Sequence, residues 1–261
     1  MTERARVGSA TVQWGVATRI GAVHEQNREQ NQDSYCTTPP VFVVADGVGG
    51  HAGGEVASRV AVDSLRALAG RADVTDEMVA RCLADARVRI GQIEHEGKPP
   101  GTTLTGVVVT EADGVPSWLV VNIGDSRTYL FNASGLRQVS VDHSVVQQLI
   151  DVGAVEPSEA ESLPMRNQLT RGLFANRDEP ADMWLFRMKA ADRVIACSDG
   201  LPKEVGEATI EKVLRETADP AQAATELVDA AVKAGGRDDV TVVVVDALDA
   251  PDAPGAGALT G

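Results

Sequence analysis

Asp46, Asp125, Asp199 and Asp238 stand in one kind of context, where a short apolar run meets glycine or a second acid. The stretches are Val44-Ala45-Asp46-Gly47, Ile123-Gly124-Asp125-Ser126-Arg127, Cys197-Ser198-Asp199-Gly200 and Gly235-Gly236-Arg237-Asp238-Asp239. Aspartate before glycine is the ordinary turn dipeptide, so any one of these alone says little. Together they deliver carboxylates to predicted strand ends. Like charges gathered this way raise one another's pKa and destabilise the fold unless cations neutralise them. Magnesium and manganese take carboxylate, carbonyl and water oxygens as ligands. Metal-assisted chemistry is the economical expectation.

The motifs Val44-Ala45-Asp46-Gly47-Val48-Gly49-Gly50-His51, Gly101-Thr102-Thr103, Gly124-Asp125-Ser126-Arg127, Ser198-Asp199-Gly200-Leu201 and Gly235-Gly236-Arg237-Asp238-Asp239-Val240-Thr241 follow one another along the chain. In this order they closely resemble the metal-dependent serine/threonine protein phosphatases of type 2C (the PPM family), in their compact bacterial form, from about Gln13 to Val245. The resemblance implies an α+β fold, a four-layer αββα sandwich of two antiparallel β-sheets flanked by helices, with a flap segment. It also implies two Mn2+ or Mg2+ ions. Asp46 would bridge them, the Gly47 carbonyl, Asp199 and Asp238 would complete the pair's protein ligands, and Asp125 would hold a weaker third ion. Asp33, in Asn31-Gln32-Asp33-Ser34, matches the acid that holds metal-bound water.

Arg28, five residues before Asp33, matches the family's phosphate-binding arginine, and a guanidinium can grip two phosphate oxygens at once. The repeat of Glu-Gln-Asn on both sides of it also lets His24 align, but only Arg28 has the right spacing and a permanent charge. The implied reaction is hydrolysis of phosphoserine or phosphothreonine by direct attack of hydroxide formed between the two ions, without a phosphoenzyme. The chain departs from the family at Val48, where animal members carry histidine. The leaving oxygen would then take its proton from water or from His51. Asp239 stands where asparagine is usual, and would tighten metal binding or point to solvent. Phe174 stands at a usual glycine and would alter the flap. Two rivals share the motifs: a catalytically silent phosphoprotein-binding module and a small-molecule phosphatase.

Stepping outward, Val41–Ala45 and Val194–Cys197 read as buried strands feeding Asp46 and Asp199. Leu104–Thr110, Trp118–Ile123 and Arg127–Phe131 read as an antiparallel meander around Asp125. The spacing of Ala57, Ala61, Leu65 and Leu68 predicts a helix after Gly54, and a second begins near Thr75. A third runs from Asp219-Pro220 to a stop at Gly235, with Gln222 placed to close a capping box. Val145–Val152 predicts a helix that closes at Gly153. Glu156–Pro180 lacks periodicity, so residues 145–180 are the expected flap, with His143 ordering a turn at its entrance. The phosphatase domain is expected over residues 1–246. The Ala, Pro and Gly tail, 247–261, is expected to be disordered.

The 261 residues carry 38 acidic against 24 basic side chains, a formal net charge of -14, which disfavours nucleic acid and anionic lipid as partners. Phosphorylated proteins, a serine/threonine kinase or its substrates, are the partners the resemblance implies. Cys36, Cys82 and Cys197 form no disulfide or zinc pattern. No apolar run reaches membrane-spanning length, so a cytoplasmic monomer outside the membrane is the expectation.

Overall fold

A computed structural model describes residues 1–27, 30–48, 52–95, 97–160 and 163–250. Two antiparallel sheets stack face to face. The first runs in the order β1 (Glu3–Val7), β2 (Ala10–Arg19), β13 (Val240–Asp249), β12 (Arg193–Cys197), β8 (Arg127–Asn132), β9 (Gly135–Gln138). The second runs β10 (Leu173–Phe174), β5 (Gly101–Thr102), β4 (Val41–Val48), β6 (Leu104–Ala112), β7 (Val115–Ile123), β11 (Asp182–Arg187), and β3 (Asp33–Thr38) also pairs with β4. Helices α2 (Ala52–Arg66) and α3 (Asp76–Ile90) pack on the second sheet. Helix α4 (Val145–Asp151) opens the segment between β9 and β10, and α5 (Gly200–Glu204), α6 (Glu207–Glu216) and α7 (Pro220–Ala234) pack on the first sheet. This is the expected four-layer αββα sandwich.

The apolar runs follow from that layering, because a central strand buries both faces. On β4, Phe42 and Val44 enter the core between the sheets, while Val41, Val43 and Ala45 face α2 and α3. On β12, Val194 and Ala196 face inward and Ile195 and Cys197 face the helices. Thr75 caps α3 by accepting from the Met78 N–H at 3.4 Å, and Asp219 caps α7 by accepting from the Gln222 N–H at 2.8 Å. The Gln222 amide turns forward to Glu226, at 2.8 Å, rather than back to close a capping box.

Three expectations are corrected. The meander breaks after β7, because β8 belongs to the other sheet. Gly124-Asp125-Ser126 is therefore the crossover between layers. β4 does not end before Asp46-Gly47 but continues through them to Val48, held by pairing with β3 and β5. The disordered tail does not begin at 247, since β13 runs to Asp249 and the buried Ala247 pairs with Val12. Residues 251–261 lie outside the described residues. Helices α1 (Ala22–Asn27), α5 and α6 were not anticipated; α1 and α5 are barely a turn or so long and leave little periodicity to read.

Phe174 sits on β10, where the flap rejoins the second sheet beside Gly101. A Cβ on Gly101 would lie 2.2 Å from the Phe174 ring, so the bulky residue and the bare backbone form a matched pair. Gly101→Ala is expected to cost about 1–3 kcal/mol by overpacking, read from urea unfolding. Adding Phe174→Gly should recover most of it, and an additive double variant would refute the pairing.

Candidate metal centre

Strand alternation brings the acids to one end of the sandwich. After Phe42 and Val44, the next inward position on β4 is Asp46, and β3 places Asp33 directly opposite it in register. Ser198, the residue after β12, donates from Oγ to Asp33 Oδ2 at 2.7 Å and accepts from the Thr241 N–H at 2.9 Å. Mid-sandwich the core is apolar, with Trp14 and Phe42 rings 5.1 Å apart. Near the acids, hydroxyl pairs join the sheets instead, Thr103 to Ser126 at 2.7 Å and Thr105 to Thr128 at 2.8 Å. The Asp46 N–H donates to Thr103 Oγ1 at 3.0 Å, and the Thr103 N–H donates to the Asp46 carbonyl at 2.9 Å. The Gly-Thr-Thr motif thus pins the backbone of Asp46.

Gly47 is dictated by close approach. A Cβ there would lie 2.3 Å from the Gly54 carbonyl oxygen in the first turn of α2 and 2.8 Å from that of Gln32. Asp125 comes from the crossover between the sheets, Asp199 from the position before α5, and Asp238 from the link between α7 and β13. The structure thus brings Asp33, Asp46, Asp125, Asp199 and Asp238 to one end of the fold. Arg28 and His51 lie outside the described residues.

Electrostatics report the convergence. Burial, then Asp199, Asp33, Asp238 and Asp125, push the Asp46 carboxyl far above its usual range. Burial is also the main cause that pushes Asp33 up to about 8 and Asp125 up to about 7, with Asp199 adding to each. Burial and the Asp199 charge likewise raise Asp238. Two oxygens stand out: Asp33 Oδ1 and Asp199 Oδ1 are buried without a hydrogen-bond partner. Orphaned acceptors of this kind in a nest of acids fit hard divalent cations. The side chains approach without closing, since among the described residues no three His, Cys, Asp or Glu form a finished ion cage. Magnesium-type sites need no such cage, because water supplies much of the coordination shell.

Several participants escaped the sequence reading. Lys203 contacts Asp199 Oδ2 one helical turn away. Burial opposes its charge, yet Asp199, Asp125 and Asp238 outweigh that and hold the ammonium firmly protonated. Only the i, i+4 spacing on a very short helix could have signalled it. Arg127 clamps Asp142 through Nε and Nη2, at 2.7 to 3.0 Å, on the wall of a cleft of about 400 Å³ that also exposes Asp125, Asp199 and Lys203.

Asp239 neither points to solvent nor reaches for metal. It is buried and accepts from the Gly21 and Gln32 N–H groups, each at 2.7 Å. It therefore ties the loops before α1 and β3 to the metal-facing loop. Asparagine could accept only on its carbonyl side, so Asp239→Asn is expected to cost about 1–3 kcal/mol, measured by chemical unfolding. An unchanged midpoint would remove this role.

The flap is fastened at its foot. The Val145 N–H donates to the Gln168 carbonyl at 2.9 Å and the Thr170 N–H to that of His143 at 2.8 Å. His143 Nδ1 accepts from the Gly124 N–H at 3.1 Å, beside Asp125, and its Nε2 meets Asp182 at 3.1 Å. Burial lowers the His143 pKa, consistent with a neutral ring donating from Nε2. Arg171 grips the same Asp182 at 2.7 and 3.0 Å, and this ion pair lowers the Asp182 pKa.

Known proteins share this arrangement. The sequence profile of the protein phosphatase 2C family matches residues 20–234. The serine/threonine protein phosphatase PstP of Mycobacterium tuberculosis is 38% identical over 232 residues, 85% of this chain and 43% of that protein. The chain therefore spans less than half the length of that relative. The serine/threonine phosphatase stp of Listeria innocua is 30% identical over 243 residues, 88% of this chain and 93% of its own. The crystal structure of M. tuberculosis PstP superposes with a TM-score of 0.81 at 33% identity, covering 90% of this chain and 98% of that one. The PstP catalytic domain in complex with two manganese ions gives 0.80 at 32% identity, covering 91% and 99%. Sequence, layering and the acid-lined end of the sandwich agree: this chain belongs to the protein phosphatase 2C family, in its bacterial PPM branch.

Proposed function

We propose that the chain is a metal-dependent phosphatase that hydrolyses phosphoserine and phosphothreonine in proteins, using two Mn2+ or Mg2+ ions. The observation that carries this reading is the nest of buried acids drawn from two strands and three loops, two of whose oxygens lack any protein partner. When bound, such ions supply hydroxide at neutral pH and offset charge on the phosphoryl oxygens. Asp46, the Gly47 carbonyl, Asp199 and Asp238 would hold the pair, and Asp125 stands at the place where a third cation would sit. Asp33, anchored through Oδ2 to Ser198, keeps Oδ1 free to accept from a water. Arg28 would grip two phosphate oxygens, and His51 or water would protonate the leaving alkoxide.

The names of the M. tuberculosis and Listeria relatives support the reaction, and the manganese-bound PstP domain supports the cofactor. A signalling role in the bacterial cytoplasm, opposing a serine/threonine kinase as a monomer, goes with this reading. No helix among the described residues is long and apolar enough to cross a membrane.

The test is turnover by metal-stripped protein on p-nitrophenyl phosphate, a phosphothreonine peptide and a panel of sugar phosphates, with and without manganese. Activity that requires manganese, with the highest kcat/KM on the peptide, is expected. No manganese-dependent turnover would favour a silent binding module, and preference for a sugar phosphate would replace the substrate class.

A further inference from the structure

Lys203 is a feature of the acidic cleft that the two-ion reading leaves unexplained. It lies on α5, one turn after Asp199, and the turn itself is closed by the Lys203 N–H donating to the Asp199 carbonyl at 3.0 Å. Its ammonium contacts Asp199 Oδ2, whereas Asp199 Oδ1 is buried and has no partner. The two oxygens of one carboxylate are therefore divided. One is taken by a positive charge belonging to the protein, and the other is left for an ion.

The second acid on that side is Asp125, carried in on the crossover between the sheets. It shares the wall of the same cleft with Asp199 and Lys203, and its charge and that of Asp238 act on the ammonium. Asp125 thus has a positive charge of the chain on its own wall of the cleft, which works against the burial and the Asp199 charge that raise its carboxyl. Burying a carboxylate in such surroundings without a counter-charge is costly, and an ammonium provides one that does not exchange with solvent ions.

We propose that the Lys203 ammonium is a resident cation that fills the place of a third metal ion between Asp199 and Asp125, so that this chain binds two exchangeable ions and no more. This rests on the two-ion reading of the site. A lysine here acts as a positioning residue: it fixes the Asp199 carboxylate from one side so that Oδ1 faces the ion pair. It also removes any need for a high concentration of free metal to complete the site. Arginine could serve the same charge, but alanine would leave Asp125 and Asp199 in one cleft without it.

The test is manganese stoichiometry, by calorimetry on metal-stripped protein and by anomalous scattering from crystals grown in manganese. Wild type should bind two ions and show no anomalous peak at Asp125. Lys203→Ala should bind one more, weakly, with a new peak between Asp125 and Asp199. Lys203→Arg should stay at two, and Lys203→Ala combined with Asp125→Asn should return to two. Circular dichroism on each variant confirms that a folded chain is being compared, and Lys203→Arg with its own stoichiometry stands in if Lys203→Ala unfolds, three ions there overturning the proposal. A third ion on Asp125 in wild type, or a Lys203→Ala protein still limited to two, would overturn it as well. If removing Lys203 only tightens the first two ions, the ammonium is a competitor rather than a substitute, and the proposal fails. Fewer than two ions in wild type would instead defeat the two-ion reading and this inference with it.

Discussion

Asp46→Asn is expected to abolish turnover, by about 10³-fold or more, and at the same time to make the ion-free protein more resistant to heat. The first effect follows from the proposed site: Asp46 stands opposite Asp33 and among Asp125, Asp199 and Asp238, where it would be the common ligand of both ions. The second follows from the same placement. Burial and like charges on every side push this carboxyl far above its usual range, so without ions it is a source of strain that a neutral amide relieves. Asparagine has nearly the same shape and leaves the backbone pinning by Thr103 in place. Scanning fluorimetry in EDTA should show a higher Tm than wild type, and added manganese should raise it far less. A variant that keeps a tenth of wild-type activity, or melts lower than wild type in EDTA, would contradict this assignment.

The second large effect is a reversal of pH dependence by metal. On unfolding, Asp33 and Asp125 return from about 8 and about 7 to an ordinary value of 3.8. Between those limits the folded chain binds more protons than the unfolded one, so ion-free stability is greatest at the acid end of the window. It is lost as pH rises and levels off near 8. A fall in Tm on the order of 10–25 °C between pH 5 and pH 8 is expected in EDTA, since the two carboxyls together lose about 6 kcal/mol over that range and a domain of this size shifts about 2–4 °C per kcal/mol. With saturating manganese the slope should invert, because ions bind ionised carboxylates and proton release then favours binding at higher pH. A Tm in EDTA that stays flat from pH 5 to pH 8 would mean that neither burial nor the neighbouring acids raise these two carboxyls.

The sequence made the site legible where local pattern and position coincide. Val41–Ala45 and Val194–Cys197 are fully apolar because each is sandwiched on both faces, and the acid that follows each run is where the sandwich ends. The caps at Thr75 and Asp219 were readable from residue type alone. What could not be read is long-range. Whether β8 joins β7 or crosses to the other sheet depends on partners more than sixty residues away, and the run Arg127–Phe131 looks the same either way. Asp239 looks like a spare metal ligand until the Gly21 and Gln32 N–H groups arrive from the other end of the chain. The Lys203 side chain acquires its meaning from Asp199, one turn earlier, together with Asp125, which arrives on the crossover between the sheets.

The fastening of the flap limits what a change in that segment can move. His143, Arg171 and Asp182 cross-brace the two ends of the excursion to β11, a strand paired along β7, and His143 also touches the backbone beside Asp125. Beyond that brace the segment returns to the cleft, where Val146, Gln147, Ile150, Pro157, Ala160 and Arg166 line the same space as Asp125, Asp199 and Lys203. A change in those side chains would be felt by whatever enters the cleft, while the shared Asp182 carboxylate keeps the foot of the segment, and with it the backbone beside Asp125, where it is.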